Sequence, residues 1–245
     1  MNRRARLGVV AAAAAGVAAL FVAAFTGLPR FGSTRHPYRD AAVSAALQHR
    51  TPNVVSSVNF DSRAIDTLGE EAILLASVVG VATLLRRAKG ERQTAALSGG
   101  RVLELTKFAG YQMMGATLLV GFDVIAHGHL TPGGGFQGGV VVATGVHLLY
   151  VAGRYRALER ARPLPAFELG DAAGASAFAG LGIAGLAALG GFLANLWPRG
   201  SFGHLLSAGT VPLLNVAVGI EVASGVVVLL AKFLEQALTI SGDAG

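Results

Sequence analysis

Cysteine is absent from the 245 residues. The chain therefore forms no disulfide, ligates no iron–sulfur cluster through thiolates and has no thiol nucleophile, although this does not fix its compartment. Charge is scarce as well: Asp, Glu, Lys and Arg make up 14% of the sequence, where a soluble domain carries about 25%. Aromatic residues amount to 7% with a single Trp, and no run of basic and aromatic residues forms a surface for nucleic acid. Zinc-ligand spacing, a nucleophile–base pair and a phosphate-loop lysine are all missing, so neither enzyme chemistry nor a cofactor or metal is expected. What is abundant is apolar: 53% of residues, with a mean hydropathy of +0.56. That excludes an ordinary soluble enzyme, a disordered tail and a disulfide scaffold. The remaining class is an all-α integral membrane protein, with apolar residues enough for roughly six helices of about 20 residues.

The runs can be placed. The first extends from Leu7 to Leu28 behind Arg3, Arg4 and Arg6. At 22 residues it is longer than a signal-peptide core and lacks a clear small-x-small cleavage site, so a retained helix is expected. A polar stretch from Pro29 to Asp66 follows, with a short amphipathic helix over Tyr38–Gln48. Further spans are expected from Ile65 or Leu68 to Leu85, over Phe108–Ala126, over Val140–Ala152, over Ala172–Leu193 and over Val211–Ala231. The run from Val140 is long enough to cross only if its helix begins within the preceding glycines. Gly90–Lys107 is polar and reads as a linker, giving segments 1–92, 93–107 and 108–240. With both termini cytoplasmic, the cytoplasmic side receives fourteen of the twenty basic residues, among them Arg86, Arg87, Arg154, Arg156 and Lys232. The positive-inside rule supports that orientation.

An acid at the centre of a spanning helix costs about 2.5–3.5 kcal/mol on insertion scales, so each intramembrane ionisable group requires a reason. Glu221 lies near the middle of the last span, His147 in the fourth and Asp123 one turn inside the end of the third. A proton or cation relay is one reading of all three. An interior hydrogen bond is the other reading for His147, and simple solvation for Asp123. Asp123 and His127 stand four apart and share a helix face. Glu70 and Glu71 follow Asp66 and Thr67 at the start of the second span, where Thr67 is expected to cap the helix and the dipole favours acids. An ion-admitting role for these carboxylates is the alternative.

The sharpest local feature is Gly128-His129-Leu130-Thr131-Pro132-Gly133-Gly134-Gly135-Phe136-Gln137-Gly138-Gly139. Five glycines in seven residues permit positive φ and close backbone approach, while Pro132 fixes the start. No Gly-Lys-Ser/Thr follows, which excludes a nucleotide loop. A tight subunit contact and an ion path both suit such a segment. The span over Ala172–Leu193 is dominated by alanine and glycine and reads as a helix-packing surface.

These motifs carry a resemblance. Residues 108–235, through Gly128-His129, the Pro132–Gly139 run and a last helix holding Asn215, Gly219, Glu221 and Gly225, resemble the MnhB/MrpB component of the multisubunit Mrp/Mnh-type sodium/proton antiporters and its hydrogenase counterpart. Many MnhB-type components have aspartate where this chain has Glu221. The run Asp61-x-Arg63-x-x-Asp66-Thr67-x-Gly69-Glu70 resembles the carboxy-terminal piece of the large MnhA/MrpA component of those antiporters, which in hydrogenases is a separate small protein with two spans. Glu71 departs from that pattern, since relatives usually have an apolar residue there. The two resemblances imply a fusion of two small subunits joined between Gly90 and Gly100. They imply a non-catalytic membrane subunit of a prokaryotic cell-membrane assembly that exchanges sodium for protons, with other subunits, lipid, sodium and protons as its partners. A redox-driven complex such as a membrane-bound hydrogenase is the alternative setting, and a purely structural scaffold the third. Glu70 and Glu221 would then lie on the cation or proton route, with the glycine segment beside it.

Overall fold

The computed structural model describes residues 3–28, 32, 34–86, 102–152 and 163–240, with backbone alone at 151 and 235–240. The expected junction at 90–100 and the basic clusters Arg87–Arg92 and Arg154–Arg162 lie outside the described residues. All described elements are helical, and none is a strand. The chain divides into two compact units, residues 1–40 and 41–245. The first unit contains α1, Arg3–Thr26, none of whose residues is buried.

The second unit holds the other elements, apart from residues 37–40 of the next helix, which belong to the first. Helix α2 (Pro37–Gln48) matches the expected short helix. A one-turn α3 (Val54–Ser57) follows, capped by Asn53, whose side chain accepts from the N–H groups of Val55 and Ser56. A π-helical turn, Val58–Ser62, leads into α4, Ala64–Leu84. Thr67 does not cap α4: the helix has already begun at Ala64, and the Thr67 hydroxyl instead donates to the Asn59 carbonyl at 2.8 Å. Glu70 and Glu71 are thereby moved from the first turn into the second. The remaining helices are α5 (Glu104–Ala126), α6 (Gly135–Val151), α7 (Leu164–Leu189) and α8 (Val211–Ile240).

Among the described residues, five helices are long and apolar enough to cross a membrane: α1, α4, α5, α7 and α8. Helix α6, with 17 residues, is at the lower limit of about 17 for a span. It reaches that length because it starts at Gly135, within the glycine run and five residues ahead of Val140. The expected fifth span is displaced: α7 opens at Leu164 behind Pro163, with Pro165 in its first turn, and ends at Gly190 in the left-handed region with φ 75°. Proline is compatible with the first turn of a helix, so residues 164–171, left ahead of the expected span, are its beginning.

Helix α8 is the hub. Of its most apolar 18-residue stretch 67% is buried, against at most 22% in any other candidate span. Helices α4, α6 and α7 pack on it, and α5 packs on α6. The close approaches define direction. Gly110 meets Ala152, Gly121 meets Val142 and Gly138 meets Ile125, so α5 and α6 are antiparallel. Gly170 meets Ser224 and Gly174 meets Ala217, so α7 and α8 are antiparallel too, whereas α6 and α8 run parallel through Gly135 against Val218 and Gly139 against Val222. One end of the bundle, the loop end, thus collects the starts of α4, α6 and α8. The opposite end collects the start of α7. At the loop end Phe60, Phe178, Leu193, Leu214 and Val218 form the main apolar core, while Ile73, Leu84, Leu119, Phe122, Ile183 and Leu186 stay exposed, as lipid-facing side chains do.

Candidate functional site

Three carboxylates are buried within the candidate spans, each on a different helix: Glu71 on α4, Glu221 on α8 and Asp171 on α7, with exposures of 1%, 0% and 2%. Among the described residues, neither oxygen of Glu71 or of Glu221 has a hydrogen-bond partner, nor does Oδ1 of Asp171. Burying an acid without a partner is destabilising, so these positions are not explained by packing. Glu71 lies within electrostatic range of Glu221 and of Glu70, and Glu221 within range of Asp171. At 1.5 Å per residue, Glu71 is about 10 Å from the start of α4, Glu221 about 15 Å from the start of α8, and Asp171 about 10 Å from the start of α7 at the opposite end. The acids therefore form a series along the bundle. Among the described residues no three His, Asp or Glu side chains converge to hold a metal ion.

The other expected residues fall elsewhere. Glu70 is exposed, and with Asn59, Arg63, Asp66 and Thr67 it lines a polar cavity of about 260 Å³ at the loop end. Arg63 Nε donates to Asp66 Oδ2 at 2.6 Å across that cavity. Of the adjacent pair, Glu71 is thus the interior acid and Glu70 the solvent-facing one. Asp123 and His127 do meet, with Nδ1 2.9 Å from Oδ1, but the pair sits exposed at the end of α5. His147 is part-buried, its Nδ1 2.7 Å from the Ala143 carbonyl one turn earlier. The structure does not bring Asp123, His127 or His147 together with the three buried acids.

The glycine run is split by the fold. Residues 127–134 are a connection, and Gly135, Phe136, Gln137, Gly138 and Gly139 form the first turn and a half of α6. Gly133 and Gly134 both have φ 135°, a conformation that side chains rarely adopt. Asn215 on α8 holds the turn, with Oδ1 accepting the Gly135 N–H and Nδ2 donating to the Val211 carbonyl and to Ser56 Oγ. Asn53 clamps the other side, donating from Nδ2 to the Gly128 and Thr131 carbonyls at 2.8 Å each. Phe136 joins the main core, while Gln137 and Pro132 are exposed. The His129 ring is fully buried, and that burial holds it below the ordinary imidazole value, opposed by the backbone of His204 and Leu205.

A second polar knot lies at the loop end outside the spans. Asp61, in the π-helical turn, accepts from Asn195 Nδ2 at 3.0 Å and lies 3.2 Å from His49 Nδ1. Asn195 also donates to the Ala208 carbonyl and accepts from the Thr210 N–H. Burial pushes the Asp61 carboxyl above its ordinary value, against the opposing pull of Asn195, His49 and Arg199.

Asp171 and Asn195 were not expected from sequence, and Asp61 entered only as part of the run that carries the second resemblance. The only available signal for Asp171 was an isolated acid at the edge of an alanine- and glycine-rich run.

Known proteins share this fold. Residues 105–228 match the family described as a domain related to the MnhB subunit of Na+/H+ antiporter. The uncharacterized protein MJ1307 of Methanocaldococcus jannaschii is 30% identical over 198 aligned residues, covering 71% of this chain and 74% of the relative. A chain in the structure of the membrane-bound sulfane sulfur reductase, an archaeal respiratory membrane complex, superposes with a TM-score of 0.72 at 27% identity, covering 92% of this chain and 97% of that one. A chain of the Mrp complex from Dietzia sp. DQ12-45-1b shares the fold, with a TM-score of 0.64 at 24% identity. This chain covers 26% of its length, with 95% of its own residues aligned. Taken with the helical bundle and its glycine turn, the match places this chain in the family of domains related to the MnhB subunit of sodium/proton antiporters.

Proposed function

We propose that the chain is a membrane subunit of a multisubunit exchanger of a monovalent cation, sodium by resemblance, for protons. It resides in a prokaryotic cell membrane with both termini cytoplasmic, and Glu71 and Glu221 lie on the ion path. The observation that carries this reading is the pair itself: two fully buried carboxylates on packed helices, neither with a hydrogen-bond partner among the described residues. An unpartnered carboxylate in the apolar interior is suited to take up and release a proton or to meet a cation, and a scaffold has no use for one. The polar cavity at Glu70 and Asp66 provides the approach from the loop end. The subunit converts no substrate chemically; its acids exchange protons or meet a cation. Its segments 1–92 and 108–240 correspond to two small subunits joined in one chain.

The likeness to the respiratory-complex chain, nearly all of whose length is covered, favours a second setting, in which the same subunit serves a redox-driven ion pump. Gentle purification from native membranes with mass spectrometry separates the two. Large antiporter-like subunits alone support the exchanger, and metal-bearing redox subunits beside them support the pump.

The test of the path uses everted membrane vesicles holding the whole complex, with proton movement on sodium addition followed by a pH-sensitive dye. Glu221→Gln and Glu71→Gln each abolish exchange while the complex still co-purifies, and Glu70→Gln leaves most of it. Unaltered exchange in both buried variants removes the role.

A further inference from the structure

The start of α7 is better furnished than a packing surface requires. Asp171 is buried to 2% exposure, with Oδ1 unpartnered among the described residues. The crossing of α7 and α8 at this level is made of glycines that face acids. A methyl group added at Gly174 would stand 2.7 Å from Glu221 Cβ, and one added at Gly225 would stand 2.9 Å from Asp171 Oδ1. Each acid is thus opposed by a residue without a side chain, which leaves the space between the helices to the carboxylates.

From Asp171 the polar series continues to the opposite end of the bundle. Glu168, one turn nearer the start of α7, lies 3.8 Å from Lys232 Nζ on α8, with the Glu168 side chain half exposed and that of Lys232 largely covered. On α8, Glu221, Gly225, Val228 and Lys232 recur at the three- and four-residue spacing of a single helix face. The exposure of the acids thus rises from Glu221, fully buried, through Asp171 to Glu168 at the surface.

We propose that Asp171 is the third carboxylate of the path, taking the proton from Glu221 and delivering it to the end of the bundle marked by Glu168 and Lys232. This rests on the reading of Glu71 and Glu221 given above. The transfer balances. The proton on the Glu221 carboxyl moves to the Asp171 carboxylate, leaving Glu221 ionised. Glu221 is reprotonated from Glu71, Glu71 takes up a proton from the aqueous side through the polar cavity at Glu70, and Asp171 releases its proton at the Glu168–Lys232 mouth. Charge neither accumulates nor disappears, and no co-reactant is needed.

The test uses the assembled complex in the vesicle assay, with Asp171→Asn, Asp171→Glu and Glu221→Gln in parallel. Asp171→Asn is expected to slow exchange about a hundredfold, the low end of what a positioned proton-transfer group contributes. Asp171→Glu restores a large part, which a role in packing alone would not allow. If Glu221→Gln stops exchange and Asp171→Asn does not, Asp171 is off the path while the reading of Glu221 stands. If neither variant slows exchange, the parent reading falls with it. Labelling of the unaltered complex with dicyclohexylcarbodiimide decides the matter if Asp171→Asn does not assemble. Adducts mapped by mass spectrometry to both Glu221 and Asp171 support the relay, and an adduct on Glu221 alone overturns it.

Discussion

Asn215 Oδ1, on the hub helix, accepts the backbone N–H of Gly135, the first residue of α6, at 3.0 Å. The same side chain donates from Nδ2 to Ser56 Oγ at 3.3 Å, so one amide joins α8 to the glycine turn and to the α3 segment.

Removing that amide leaves a buried N–H without its acceptor. Asn215→Ala is expected to destabilise the subunit by about 1–3 kcal/mol, the penalty for a buried unsatisfied polar group. It should be read as a lower melting temperature of the detergent-solubilised complex. Ser56→Ala, which loses only the longer contact, should move it less.

Gly174 and Gly180 lie on the same helix and make opposite predictions. A Cβ at Gly174 would come within 2.6 Å of the Glu221 nitrogen and 2.7 Å of the Ala217 carbonyl oxygen, both backbone atoms. At Gly180 it would meet nothing within 4 Å. Gly174→Ala should therefore force α7 and α8 apart and lower thermal stability, by about 1–3 kcal/mol for an overpacked core. Gly180→Ala should be neutral or slightly stabilising. Equal melting temperatures for the two variants would contradict this packing.

Asp61 supplies a pH dependence outside the spans. Burial raises its carboxyl above 3.8, so the folded chain binds this proton more tightly than the unfolded chain. By linkage, its contribution to stability is greatest in acid, below the unfolded value, and is lost as pH rises through the folded value. Asp61→Asn keeps an oxygen for Asn195 and cannot ionise, so it removes this part of the slope. Melting temperatures compared between about pH 4 and pH 7, the range above an unperturbed Asp, should show a flatter profile for the variant. Parallel profiles would show that Asp61 does not contribute.

Much of the fold is legible in the sequence because lipid imposes a single long apolar period per span. The last span, Val211 onward, begins where hydropathy places it, and α4 and α5 lie within a few residues of their expected limits. Glu221 is conspicuous for the same reason, being an acid with seven apolar residues among the ten before it and eight among the ten after. The start of α7 is not legible, because Pro163, Pro165, Glu168 and Asp171 lower the local hydropathy although proline is well suited to a first turn. That misplacement by eight residues set Asp171 outside the membrane. The choice between Glu70 and Glu71 is likewise a matter of helix phase. Adjacent residues on a helix differ by about 100° in direction, and only the packing of α4 on α8 determines which of them turns inward. Thr67 reads as a cap because the π-helical turn before α4, which claims its hydroxyl, has no distinctive composition.

The glycine turn bears on how essential residues are found. Side chains added at Gly128, Gly134 or Gly135 would each collide with Asn215, and Gly133 and Gly134 hold a backbone conformation closed to most residues. With Glu221 on the proposed path, a saturation scan scored by growth under salt stress would therefore rank these glycines beside it. Phenotype alone would merge two kinds of intolerance, one geometric and one protonic. They part on chemical substitution: at the turn every replacement fails in proportion to its bulk, whereas at the buried acids the proposed path has failure follow the loss of an exchangeable proton at nearly constant volume.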